Sequence, residues 1–203
     1  AIYGDFLYKD GRNKEAKIQY KKVIAQDQNR PQVWSQLLFI ESEIRDYAEL
    51  ELDSEKAFQL FPTNPVYYFF NGIANSQLKN YKKAISSLEM GLEFVIDNPP
   101  LLAQFYSSLG DNYHYIKQHT HSDSLYDKAL AIEPENVQVL NNYSYYLSLR
   151  NHKIEKAEAM SKKSNELSPN NASFQDTYAW ILYQQKKYSE AKRYSLIITF
   201  FGL

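Results

Sequence analysis

His114, His119, His121 and Asp123 lie within ten residues of one another and are the first side chains in this sequence with an obvious chemical use. Converging imidazoles and a carboxylate can hold zinc. These four straddle a helix end and a turn, however, without the fixed spacing of a helical His-Glu-x-x-His pair. His152 lies in a later turn, and turn histidines ordinarily only titrate, so no metal site is expected. Ser76-Gln77-Leu78-Lys79 has the spacing of a serine nucleophile and its lysine base, but the companion motifs of that chemistry are missing. No Gly-x-Ser-x-Gly turn, phosphate-cradling loop or pair of carboxylates in a predicted cleft occurs. With no cysteine in the chain, thiolate metal sites and a cysteine nucleophile are excluded. Asn142-Tyr143-Ser144 and Asn171-Ala172-Ser173 are formal glycosylation sequons, yet one falls inside a predicted helix and the other at a helix cap. The expectation is a chain with no catalytic residue and no cofactor.

The elements that position these residues follow from composition. Among 203 residues, 23 Lys and Arg nearly balance 24 Asp and Glu, leaving a formal charge of −1. That balance argues against a nucleic-acid partner, which calls for a basic patch. A hydrophobic content of 44% supplies a core. No run approaches the roughly 18 apolar residues of a transmembrane helix. Only 6 Gly and 7 Pro are present, too few for a turn-rich β-sandwich, and all-α structure is predicted.

Prolines provide a ruler. Pro62, Pro134 and Pro169 each follow an amphipathic run, at spacings of 72 and 35 residues, or two units and one unit of a mid-thirties repeat. The unit from Ala103 to Asn136 shows the internal order. It carries Tyr106, Leu109, Gly110 and Tyr113, then Ser122, Tyr126 and Ala129, then Pro134. This order resembles the tetratricopeptide repeat, with Ser122 where the family has Ala. Trp34, Leu37, Tyr47, Ala57 and Pro62 mark an earlier unit, and Tyr178, Ala179, Leu182, Tyr188 and Ala191 the last. The repeats run over residues 1–30 (incomplete), 31–64, 65–102, 103–136, 137–171 and 172–203, as a single array. Gly4, Gly72 and Gly110 fall where paired helices cross closely, and Gly11 falls in a turn that tolerates positive φ. Asn64, Asn98, Asn136 and Asn171 stand ready to cap helices. Residues 93–102 read as an extended helix end followed by a Pro99-Pro100 turn.

The resemblance implies an all-α, right-handed superhelical solenoid of about six helix-turn-helix hairpins, because one hairpin cannot bury its own apolar stripe. It further implies a non-catalytic scaffold that binds a protein or peptide in a concave groove lined by the first helix of each repeat. On this register the lining is Gln36, Phe39, Phe69, Ile73, Gln104, Asp111, His114, Tyr115, Asn141, Asn142, Tyr145, Asp176, Trp180 and Tyr183. Large rings at solvent-facing positions mark interaction surfaces, whereas Tyr106, Tyr113, Tyr126, Tyr143, Tyr178 and Tyr188 are assigned to the core. The Lys, Asn and Arg set that grips a chaperone's terminal carboxylate in some relatives is missing. Five acids between Asp46 and Glu55 are read as a solvated outer face. Ser195–Leu203 is apolar on all sides, so a longer array is expected, or a homodimer formed through the C-terminal helix. The competing readings are a self-assembly module and a histidine–metal protein. Resemblance to bacterial arrays slightly favours the cell envelope.

Overall fold

A computed structural model describes residues 1–200, with side chains as far as Tyr194. Among the described residues twelve helices follow one another without a strand. They are α1 (Ile2–Lys9), α2 (Asn13–Gln26), α3 (Pro31–Glu43), α4 (Tyr47–Leu60), α5 (Pro65–Gln77), α6 (Tyr81–Leu92), α7 (Pro99–Tyr115), α8 (His119–Ile132), α9 (Val137–Leu149), α10 (Ile154–Leu167), α11 (Ala172–Gln184) and α12 (Tyr188–Phe200). The all-α expectation holds. No described helix is long and apolar enough to cross a membrane. The apolar stretch Ser195–Leu203, and the pairing of copies expected through it, fall outside the residues described with side chains.

Helix starts follow local chemistry. Asn64, Asn98, Asn136 and Asn171 each accept a hydrogen bond from a backbone N–H of the first turn, at Val66, Leu101, Val139 and Phe174. Pro31, Pro65 and Pro99 occupy first helical positions, where a missing N–H has no consequence. Asn64→Ala is therefore expected to lower unfolding free energy by about 1 kcal/mol, read as a shifted urea midpoint; an unchanged midpoint would deny the cap its role. One expectation is corrected. Pro99-Pro100 is not a turn but the opening of the 17-residue α7, one turn ahead of Ala103, and residues 93–98 are the non-helical connection. The Asn98 cap and the fixed φ of proline select that start.

The turns inside the hairpins carry a second ruler. Gly11, Arg45, Lys79, Lys117, Asn151 and Lys186 all have positive φ, at steps of 34, 34, 38, 34 and 35 residues. Each is the left-handed residue that closes a helix-to-helix turn, and only Gly11 adopts that conformation without side-chain strain. A third periodicity is buried. Ala16, Leu50, Ala84, Ser122 and Ala157 are all fully enclosed, each in the second helix of its hairpin.

By packing, the chain divides into two compact units, residues 1–122 and 123–203. In the first unit, successive helices from α1 to α7 pack on one another, and α3 and α5 also touch the next first helix of the series. Its core joins Leu7, Tyr20, Trp34, Leu37, Leu38, Leu50 and Tyr67. In the second unit α9 packs on α10 and α11, and α11 on α12. Here Tyr126 and Tyr143 stack with ring centroids 5.0 Å apart, and Lys156 lies over the Tyr143 ring. Tyr178, Leu182 and Ala191 enclose the junction of α11 and α12, with Tyr194 against them.

The acidic run is not the solvated face expected of it. Asp46, Glu49 and Asp53 turn toward α2, where Lys17 and Lys21 sit one helical turn apart. Lys17 Nζ is 2.6 Å from Asp46 and Lys21 Nζ 2.8 Å from Asp53; Lys21 also pairs with Glu49. At the centre is Glu41 of α3, whose side chain has no exposed surface, 3.4 Å from both ammonium groups. Of the run only Glu55 is exposed, and Glu51 pairs with Lys83. The signal was available in the lysine spacing of α2, which presents two cations to one neighbouring face.

Candidate functional site

In the first unit, α1 and α3 frame a hollow of about 380 Å³ lined by Asp5, Tyr8, Lys9, Tyr20, Gln36, Phe39 and Ile40. Asp5 is held in place by two donors on one carboxylate oxygen. Tyr20 Oη donates at 2.6 Å and Gln36 Nε2 at 3.0 Å, both to Oδ1. Burial, the Asp5 contact and its negative charge push the Tyr20 hydroxyl far above the ordinary tyrosine range, so it remains a donor. The Tyr8 and Phe39 rings meet edge to face, 6.0 Å between centroids. Gln36 thus spends its amide on Asp5, while Phe39 stays exposed.

Between α5 and α7 lies a polar slot of about 100 Å³, lined by Gly72, Ile73, Ser76, Gln77, Ser108, Asp111 and Asn112. Ser76 and Gln77 of the nucleophile-like motif thus belong to this slot. Phe69, expected to face solvent, is half-buried against Phe105 at 5.2 Å. Gln104 is exposed on α7, and Tyr115 stacks on Tyr81 at 4.6 Å.

The histidines split. His114 and His119 approach to 5.3 Å between ring centroids, while His121 stacks on Tyr113. Asp123 is taken by Arg150, which places two guanidinium nitrogens on its carboxylate, the shorter contact 2.6 Å. Among the described residues the group of three or more candidate ligands is a different one, Glu41, Glu49 and Asp53, with oxygens within 4.8 Å. The Lys17 and Lys21 ammonium groups already neutralise that cluster, so its donor set does not suit a metal ion.

In the second unit, Asp176, Ala179, Trp180, Tyr183, Tyr188, Ala191 and Lys192 line a hollow of about 450 Å³. Trp180 and Tyr183 lie nearly parallel at 6.1 Å, and Tyr188 leans on Tyr183 at 5.4 Å. Tyr188 is 56% exposed, which corrects its assignment to the core; it stands at the first position of α12, where its ring reaches back over α11. Tyr145 is also exposed, beside Tyr146. Asn141 is buried instead of facing a ligand, and Asn142 accepts from Gln138 at 2.7 Å. Asp5, Tyr8 and Tyr188 were missed from the lining. A step of 34 residues back from Phe39 lands on Asp5, so the incomplete first repeat held the missing signal.

Models of the tetratricopeptide repeat match residues 103–136 and 125–159. Residues 103–159 therefore hold tetratricopeptide repeats. Solved structures of repeat arrays share the fold of the chain. MamA from Desulfovibrio magneticus RS-1 superposes with a TM-score of 0.71 at 20% identity, covering 83% of this chain and 93% of that one. The Pseudomonas aeruginosa PilF structure gives 0.81 at 14% identity, over 98% and 89%. YrrB, described as a TPR protein with an unusual peptide-binding site, gives 0.64 at 14% identity, over 86% and 88%. No curated protein matches the chain. Tetratricopeptide repeat proteins are in general non-catalytic scaffolds for protein–protein interaction, and here exposed rings stand on the first helices of hairpins, among them Phe39, Tyr145, Trp180 and Tyr183.

Proposed function

We propose that the six hairpins, read as one repeat series, serve as a non-catalytic scaffold that holds a peptide or partner surface against the exposed faces of the first helices. One observation carries this reading: large rings at Phe39, Tyr145, Trp180 and Tyr183 are left in solvent, and those at Phe39, Trp180 and Tyr183 line hollows. Exposed rings beside concave surface supply the anchors on which interfaces concentrate their binding energy. In the second unit Asp176 offers a polar group to an extended backbone beside Trp180 and Tyr183.

Panning a displayed library of random dodecapeptides on the purified chain tests the proposal. Enriched peptides should lose about tenfold or more in affinity to Phe39→Ala, or to Trp180→Ala with Tyr183→Ala. Ile18→Ala, on the exposed side of α2, should leave binding unchanged. No enrichment, or equal loss on Ile18→Ala, would overturn the assignment. A second reading, self-association, draws on α1, which exposes Ile2, Tyr3 and Phe6. Light scattering across a concentration series separates it, since a scaffold of this kind keeps one mass.

A further inference from the structure

We propose that the hollow between α1 and α3 receives an arginine side chain of the bound segment, an assignment that rests on the scaffold reading above. Three features select that group. The first is a carboxylate whose orientation is already fixed. Tyr20 and Gln36 reach Asp5 from two other helices and both bond to Oδ1, and among the described residues no hydrogen bond reaches Oδ2. A guanidinium pairs with such an oxygen through a charge-assisted bond, stronger than a neutral one. The carboxylate also loses no freedom on binding, because the fold has ordered it beforehand.

The second feature is the wall. Tyr8 and Phe39 stand edge to face beside the carboxylate, and both are exposed. Planar guanidinium stacks on such rings and is only weakly hydrated, so it enters an aromatic hollow more readily than an ammonium does. The third is what the hollow lacks. The Tyr20 hydroxyl and one N–H of the Gln36 amide are turned onto Asp5, so neither is left for an incoming anion. Lys9 is the one cation of the lining. It is exposed on a flexible stem that can swing into solvent, and it defines the rival occupant, a carboxylate drawn to its ammonium.

The test titrates three probes into the full isotope-labelled chain: N-acetyl-arginine amide, N-acetyl-norleucine amide and N-acetyl-glutamate amide. The arginine probe should move the Gln36 side-chain NH₂ resonances and the backbone amides of Tyr8 and Phe39, saturating in the millimolar range. Norleucine should bind about tenfold more weakly and glutamate should move none of them. Asp5→Asn keeps an acceptor for Tyr20 yet removes the charge, and should weaken the arginine probe about tenfold. Should that variant fold poorly, Phe39→Leu removes one ring and is expected to weaken the same probe several-fold. Lys9→Met should tighten it. Glutamate shifting these resonances, or arginine binding Asp5→Asn as tightly as the parent chain, would overturn the proposal. If library peptides still lose affinity on Trp180→Ala with Tyr183→Ala while the arginine probe leaves Gln36 unmoved, this assignment fails and the scaffold reading stands.

Discussion

Gly91→Ala is expected to destabilise the first unit by about 1–3 kcal/mol, although in an open helix interior the same exchange stabilises by roughly 0.5–1 kcal/mol. Gly91 lies near the end of α6, buried, and an added Cβ would fall far inside van der Waals contact with the Tyr68 Cβ of α5. It would also meet two ring atoms of Phe105 in α7 at 3.0 Å. Neither neighbour can yield. The Tyr68 Cβ is fixed to its own backbone, and its ring is stacked between Phe58 and Phe94 at 4.6 and 5.8 Å. Phe105 has no exposed surface to move into. Relief requires pushing helices apart, with loss of dispersion contacts on every face that opens. Gly72 is a second such crossing. There the added Cβ meets Cγ and Cδ2 of Leu88 at 2.5 and 2.6 Å, and Leu88, with no exposed surface, has no room to turn aside, so Gly72→Ala should destabilise as well. Fluorescence of the buried Trp34 during urea unfolding, in a Trp180→Phe background, reads the first unit separately. A Gly91→Ala midpoint equal to the parent's would mean that the crossing is looser than described.

Glu41→Gln is expected to stabilise the protein above neutral pH and to change little in acid. Burial of the Glu41 carboxyl raises its pKa, and the nearby Asp53 charge adds to that; Lys21 and Lys17 oppose both, leaving the value at about 7. For Asp53, burial acts in the same upward sense, but bonds from Lys21 and Lys56 outweigh it and hold the group below its usual range. The pair is therefore served best by one proton, on Glu41. A carboxyl whose folded-state pKa lies above its unfolded value favours folding while protonated. Its stability is full below the unfolded pKa, declines as pH rises toward 7, and is lost beyond. Glutamine preserves the shape without the ionisation, so the decline should flatten by on the order of 2 kcal/mol between pH 5 and pH 9. Neither lysine is orphaned by the exchange, since Lys17 keeps Asp46 and Lys21 keeps Asp53 and Glu49. Parallel stability–pH curves for parent and variant would refute the account.

The fold was legible because its signals are local and recur. Asparagine before the first turn, proline at its start and one enclosed residue in each second helix are read without knowing what they touch. The lining was less legible. The register names Phe39, Trp180 and Tyr183, which stand exposed beside hollows, but Asn141 sinks into the packing and Phe69 half-sinks, which a register alone does not resolve. Asp5 and Tyr8 escaped because the register was carried forward from Pro31 and not back into the incomplete first hairpin. The ionic layer was hidden for another reason. Whether a run of acids meets water or two lysines of the preceding hairpin depends on helix rotation, and charge pattern along one helix says nothing about its neighbour.

That layer also gives the second hairpin an address. Hairpins held together by grease alone are interchangeable, and a chain of them can be shuffled at small penalty. Moved beside a hairpin without Lys17 and Lys21, Glu41 would lose both of its cations out of water, and Asp53 would keep Lys56 alone. A recombined array that transplants the second hairpin elsewhere must carry its upstream neighbour with it.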